Sequence, residues 1–238
     1  MKVLVLGSNG MLGHMLNKYL REMHPSINVS SFIGRWPKDK DFLLTWKGDY
    51  IINCIGAIPQ RTDRFDINWE LPIWLDENMD CKIIHPGTDC EMDTDNYGLS
   101  KRMAADYIKT KGKQTKSLKT SIIGPEYQSS ASLLEWFLTC QEPSVKGYSN
   151  AIWNGNTTLE WSKQCLKMMN NWEAYDKETI IASNKVSKYE LLLFIKAIFD
   201  KQIKIESYPE GKDKSLTGII KTKNISEQLE ELKKYYYV

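Results

Sequence analysis

Histidine is scarce in this chain: the three among 238 residues, at positions 14, 24 and 85, are too few to suggest a zinc site, so no metal is expected. The five cysteines, at 54, 81, 90, 140 and 165, are odd in number, scattered and without a Cys-x-x-Cys pair. That usage argues against a disulfide framework and suits reduced thiols, so the expected location is cytoplasmic. No apolar run approaches the roughly 20 residues of a membrane span. The N-terminus reads as a buried strand from residue 2, not as a signal or transit peptide. Excess charge is missing too. The 32 basic residues stand against 30 acidic ones, and a net charge of +2 gives no reason to expect a nucleic-acid partner. Internal repeats and low-complexity linkers are lacking. The basic run Lys109-Thr-Lys-Gly-Lys113-Gln-Thr-Lys116 reads as the solvated end of a helix and its loop.

What is present is an alternation. With 42% hydrophobic residues the chain can bury a full core. Short apolar strands are expected at residues 2–6, 28–33, 50–55, 81–85 and 119–123, with helices at 11–23, 67–77 and 97–111 between them. This order predicts an α/β fold: a Rossmann-type doubly wound parallel sheet with helices on both faces. Beyond about residue 126 the texture changes to helices at 132–140, 159–172, 188–199 and 225–234, a short strand at 179–182 and a polar-aromatic loop at 148–155. Residues 1–125 are therefore expected to form a dinucleotide-binding domain. Residues 126–238 are expected to form a small substrate lobe, with segments returning to the first domain and a cleft between the two.

The chain opens with a strand that runs into Gly7-Ser8-Asn9-Gly10-Met11-Leu12-Gly13. In such a turn the first glycine permits the bend, the second lets a pyrophosphate approach the backbone, and the third lets helix pack on sheet. The N–H groups at the helix start then face the anion. The second strand ends without the acidic residue that usually holds the ribose of NAD. Arg35 stands there instead, suited to a 2′-phosphate, which favours NADP(H) while leaving NAD(H) open. Cys54, Ile55, Gly56 and Ala57 follow the third strand, at the sheet edge where such folds bind ligands.

Tyr97 and Lys101 fall at i and i+4, on one face of a helix. Thr88 and Asp89 precede them at a strand end. A free tyrosine titrates near pKa ~10, and a neighbouring ammonium is expected to lower that value. Thr88 can hold a substrate oxygen while Tyr97 protonates it.

Together these residues resemble the extended short-chain dehydrogenase/reductases and, within them, the dTDP-4-dehydrorhamnose reductase-like enzymes. The resemblance runs through the glycine turn, Asn53-Cys-Ile-Gly56, Asn68-Trp-Glu-Leu-Pro72, Gly87-Thr88-Asp89 and Tyr97-x-x-x-Lys101. It continues through Thr120-Ser121-Ile-Ile-Gly124-Pro125-Glu126, Ser132-Leu-Leu-Glu-Trp136 and Gly147-Tyr-Ser-Asn150-Ala-Ile-Trp153. It implies a catalytic set of Thr88, Tyr97 and Lys101 that reduces a nucleotide-linked 4-keto-6-deoxy sugar with NAD(P)H. Thr88, Asp89, Glu126, Trp136, Asn150 and Trp153 become candidate substrate-binding residues, in a monomer or homodimer. The sequence departs from the family in the short segment Cys90–Asn96, in Lys119 where many relatives carry arginine, and in a trimmed C-terminal lobe. Three alternatives remain: a combined sugar-nucleotide epimerase/reductase, a catalytically silent NADP-binding regulatory subunit, and a redox-sensing regulator of the same fold.

Overall fold

The computed structural model describes residues 1–127, 130–218 and 220–238. In chain order the elements are β1 (Lys2–Leu6), α1 (Met11–Met23), β2 (Asn28–Phe32), α2 (Lys40–Leu44), β3 (Tyr50–Asn53), α3 (Ile67–Asn78), β4 (Lys82–Gly87) and α4 (Asn96–Thr110). There follow β5 (Thr115–Lys119), β6 (Ile122–Ile123), α5 (Leu133–Thr139), β7 (Ser144–Tyr148), β8 (Ile152–Trp153), β9 (Asn156–Thr157) and α6 (Thr158–Asn170). The chain closes with β10 (Glu178–Ala182), β11 (Val186–Ser187), α7 (Lys188–Ile198), β12 (Lys204–Tyr208), β13 (Ile220–Lys221) and α8 (Ile225–Leu232). Contacts divide it into two units: Met1–Lys119 with Ser162–Thr179, and Thr120–Trp161 with Ile180–Val238.

A seven-stranded sheet runs in the order β13-β10-β5-β4-β3-β1-β2. β1 pairs in parallel with both β2 and β3, β3 with β4, and β4 with β5. The chain leaves β1 for β2 on one side and then returns to place β3 on the other. The junction of β1 and β3 is therefore the topological switch point, where open α/β sheets bind ligands. The register follows from side-chain chemistry. Val3 to Leu6 are all buried, as in a strand covered on both faces. Leu4 and Leu6 join Ile51, Ile83, Leu71 and Leu75 in one core cluster, while alternation sends Val3 and Val5 to the opposite face.

The fifth strand departs from expectation. It covers Thr115–Lys119, with only Ile122–Ile123 forming a further short strand, whereas the apolar pattern pointed to 119–123. The polar text of Thr115-Lys-Ser-Leu-Lys119 hides a strand whose every residue is buried. Lys116, expected to be solvated, donates to the carbonyls of Trp172 at 2.6 Å and Tyr175 at 2.5 Å, and its ammonium lies 4.6 Å from the Trp172 ring centroid. A chain reversal supplies acceptors that water would otherwise supply, so burial of this lysine is satisfied.

Asp76 fixes where β5 begins. Its carboxylate, 1% exposed, accepts from the backbone N–H groups of Lys113, Gln114 and Thr115 at 2.9–3.1 Å. Burial alone would raise its pKa, but the hydrogen bonds from residues 113–115 outweigh it and hold the carboxyl below its usual range. A depressed folded-state pKa gives stability that is full above the unfolded value and is lost as pH falls through the folded one. Asp76→Ala should strand these donors and lower unfolding stability at neutral pH by about 3 kcal/mol or more. Urea melts check this; the gap between the two proteins should shrink on acidification below about pH 4.

Among its described residues the second unit carries five two-residue strand segments, β6, β8, β9, β11 and β13, plus the parallel pair β7 and β12. The loop expected at 148–155 overlaps β7 and contains β8. Strands this short are set by their partners and not by an apolar run of their own, so periodicity does not announce them. Among the described residues no helix is long and apolar enough to cross a membrane.

Candidate active site

Gly7 adopts φ +73°, a left-handed conformation that favours glycine. A Cβ there would lie 2.9 Å from the Cys54 carbonyl group and 3.0 Å from Ile55 Cγ1. The turn off β1 thus rests directly on the chain leaving β3. Gly13 packs just as closely, since its Cβ would lie 2.2 Å from the Gly7 carbonyl oxygen. Gly10 differs: its Cβ would meet only that same oxygen, at 3.4 Å. Gly10 is the N-cap of α1, with no side-chain cap and no acidic residue in the first turn. The helix therefore presents uncapped N–H groups beside open space, which fits the phosphates of a dinucleotide. Ser8 is half-buried and Asn9 exposed on the turn, Met11 begins the helix, and Leu12 turns into the core. Burial pushes the Cys54 thiol up to about 12, so this wall of the turn is uncharged.

Asn53 and Asn68 hold the segment after β3. Asn53 Oδ1 accepts from Ile55 N–H at 3.2 Å, and its Nδ2 donates to His85 Nδ1 at 3.3 Å. Asn68 Oδ1 accepts from Ala57 N–H at 2.8 Å, while its Nδ2 donates to Ala57 O at 3.1 Å and to Ser100 Oγ at 3.0 Å. One buried amide therefore ties this loop to α4. The role of Asn68 lies outside the sequence expectation, because nothing local marks a residue whose partners stand 11 and 32 positions away.

Helix α4 starts with Asp95 as N-cap, its side chain accepting from Gly98 N–H at 2.7 Å. A Cβ on Gly98 would lie 2.6 Å from the Cys90 carbonyl oxygen and 2.7 Å from that of Asp93. Glycine after Tyr97 is thus what lets the helix lie against the turn that follows Thr88. Tyr97 and Lys101 share a helix face, the Tyr97 ring edge-on to Phe65 at 5.6 Å. Lys101 Nζ reaches the loop after β3, 3.2 Å from where a Gly56 Cβ would stand. The glycine turn and the Lys101 ammonium therefore both meet the 54–57 segment within the first unit.

The electrostatics differ from the expected lowering of the tyrosine. Burial raises the Tyr97 pKa, and Cys90, Asp89, Asp95 and Glu91 add to the rise. Burial lowers that of Lys101, opposed by Glu91 and Cys90. Desolvation first, and the Lys101 charge second, push His85 down to about 3, so the imidazole is neutral. A neutral phenol is the form a proton donor requires. Thr88 is exposed to the same surroundings: its Oγ1 donates to Asp89 Oδ1 at 3.0 Å and accepts from Cys90 N–H at 3.3 Å.

Arg35 stands exposed beyond β2, its backbone N–H bonded to Asp39 Oδ2 at 2.7 Å. In the second unit, Glu126 accepts from Ser132 N–H at 2.9 Å, and Asn150 Nδ2 donates to Pro209 O at 3.0 Å. Trp136 is 40% exposed, whereas Trp153 is 1% exposed beneath the ammonium of Lys188, 4.8 Å away. Trp153 is thus placed as a core residue of its unit, whereas Trp136 is partly exposed. Among the described residues no group of His, Cys, Asp and Glu could hold a metal ion.

No family model matches the chain, and no curated protein matches it. Solved structures do. A dTDP-4-dehydrorhamnose reductase from Clostridium acetobutylicum superposes with a TM-score of 0.76 at 18% identity, covering 100% of both chains. One from Bacillus anthracis, in complex with NADP, gives 0.79 at 13% identity over 97% of this chain and 98% of that one. An ADP-L-glycero-D-manno-heptose-6-epimerase from Helicobacter pylori gives 0.76 at 13% identity, covering 100% of this chain and 96% of the other. The chain therefore has, over nearly its whole length, the fold of the dTDP-4-dehydrorhamnose reductases and related extended short-chain dehydrogenase/reductases of known structure.

Proposed function

We propose that this chain is an NAD(P)H-dependent reductase of a nucleotide-linked 4-keto-6-deoxy sugar. The observation that carries the reading is the convergence in one unit of an uncapped helix start, the Gly56 loop under Lys101 Nζ, and a protonated Tyr97 beside the Thr88 turn. A bound nicotinamide dinucleotide supplies the hydride for the C4 carbonyl. Thr88 Oγ holds the carbonyl oxygen by turning its hydroxyl from Asp89 toward the substrate. Tyr97 gives its proton to the alkoxide as charge develops there. Lys101, whose ammonium Glu91 and Cys90 favour against the cost of burial, stabilises the phenolate left behind and holds the ribose near the 54–57 loop. Asp89 stands ready to reorient the Thr88 hydroxyl.

NADP(H) is the favoured cofactor because Arg35 can pair with a 2′-phosphate. A charge-assisted contact of this kind is worth about 1.5–3 kcal/mol. Arg35→Ala should accordingly weaken NADPH binding roughly tenfold or more while leaving NADH within about twofold, as read by fluorescence titration. Equal losses for both cofactors would remove Arg35 from the argument. The reading itself is tested by following NADPH absorbance with dTDP-4-dehydrorhamnose. Oxidation supports it; binding without oxidation across a panel of 4-keto-6-deoxy nucleotide sugars counts against it.

A further inference from the structure

Behind Thr88 lies a buried ion pair that the proposed chemistry has not used. Glu91 Oε2 meets Lys119 Nζ at 2.5 Å, with the two side chains 5% and 10% exposed. The other carboxylate oxygen, Oε1, accepts from Thr88 N–H at 2.8 Å. Thr88 in turn caps the short 3-10 turn Asp89–Met92, so its backbone and hydroxyl are both engaged. Lys119 sits opposite Gly87 in the β4/β5 register. A Cβ on Gly87 would lie 2.8 Å from Lys119 Cβ and 3.0 Å from Glu91 Oε1, so absence of a side chain there lets the pair lie directly behind the strand end. Glu178 approaches the same ammonium at 3.4 Å. A capping box alone uses its glutamate from solvent; here the glutamate is anchored from a neighbouring strand.

We propose that Glu91 and Lys119 are positioning residues, an anchored pair that fixes the Thr88 amide and with it the direction of the Thr88 hydroxyl. The claim for catalysis rests on the reductase reading; the claim for the Thr88 amide does not. The pair acts through geometry. An acceptor clamped by a lysine from β5 leaves the Thr88 backbone little freedom to rock, and the hydroxyl inherits that restraint. Glu91→Gln keeps an acceptor for Thr88 N–H, whereas Glu91→Leu removes it. Lys119→Arg keeps the charge, and Lys119→Met removes the clamp.

The test combines amide hydrogen exchange at Thr88 with steady-state kinetics on NADPH and dTDP-4-dehydrorhamnose, at temperatures where every variant is folded. Glu91→Leu and Lys119→Met should speed Thr88 exchange by about tenfold or more and lower kcat by about 10- to 100-fold, a range comparable to misplacing a catalytic group by an ångström. KM for the sugar nucleotide and the dissociation constant of NADPH should stay within about twofold. Glu91→Gln and Lys119→Arg should retain most of both properties. Unchanged exchange at Thr88 in Glu91→Leu overturns the proposal, and so does faster exchange with an unchanged kcat. A wild type that binds NADPH but leaves the sugar unreduced contradicts the reductase reading and the catalytic claim with it, and the exchange measurement then decides the positioning claim alone.

Discussion

Tyr97→Phe is expected to lower kcat for NADPH-dependent reduction by about a thousandfold while NADPH binds with nearly unchanged affinity. A positioned general acid contributes roughly 10²–10⁴ to such a step. Removing the hydroxyl leaves the alkoxide to be protonated by water. The ring itself should stay where it is, since its edge contact with Phe65 involves no oxygen. Burial and the nearby acidic groups keep the wild-type phenol protonated, so the proton is in place before the substrate arrives. Lys101→Met should differ from Tyr97→Phe by weakening NADPH binding as well, because the ammonium lies against the Gly56 loop. Stopped-flow kinetics and cofactor titration separate the two. A Tyr97→Phe protein that keeps a tenth of its turnover would require another acid.

Gly13→Ala is expected to be the most damaging single change in the cofactor cradle. Its methyl would lie 2.2 Å from the Gly7 carbonyl oxygen and 3.1 Å from Ser8 Cα, both backbone atoms that cannot swing aside. The start of α1 must therefore move away from the turn. Overpacking of this sort costs about 1–3 kcal/mol of stability. Displacing the N–H groups by even part of an ångström should weaken NADPH binding by about 30-fold or more. Gly10→Ala makes the comparison. Its methyl meets only one oxygen, at 3.4 Å, so unfolding stability should change by less than about 0.5 kcal/mol. Affinity for NADPH should nonetheless fall, because the space beside Gly10 is what the phosphates need. If Gly10→Ala binds NADPH as well as wild type does, the phosphates do not pass there.

Much of the fold was legible because its signals are local. Val3 to Leu6 announce a doubly covered strand, the glycine spacing announces the turn, and Tyr97 and Lys101 share a face by helical geometry alone. β1, α1 and the start of α3 fall where periodicity puts them. What was illegible depends on partners distant in sequence. Thr115–Lys119 looks polar, and it is buried only because Asp76 and the Trp172–Tyr175 turn satisfy its polar groups. Lys119 was readable as the start of a strand and as a replacement for arginine, but its bond to Glu91 spans 28 positions that no pattern connects. Trp153 looked like a loop aromatic free to stack on a sugar, yet a two-residue strand carries it into the core. The pKa of Tyr97 is the sharpest lesson. Sequence spacing supplies the lysine, but burial and the acidic groups around Thr88 decide the sign of the shift.

The central claim is that this cradle delivers hydride to a sugar carbonyl with Tyr97 beside it as the acid. It is tested most directly by incubating the protein with dTDP-4-dehydrorhamnose and NADPH deuterated at both C4 positions of the nicotinamide, then locating the label by NMR. Deuterium at C4 of the sugar, formed by wild type and about a thousandfold more slowly by Tyr97→Phe, is the predicted result. A protein that binds NADPH but yields no labelled sugar, or that labels it equally well without the Tyr97 hydroxyl, would contradict the account.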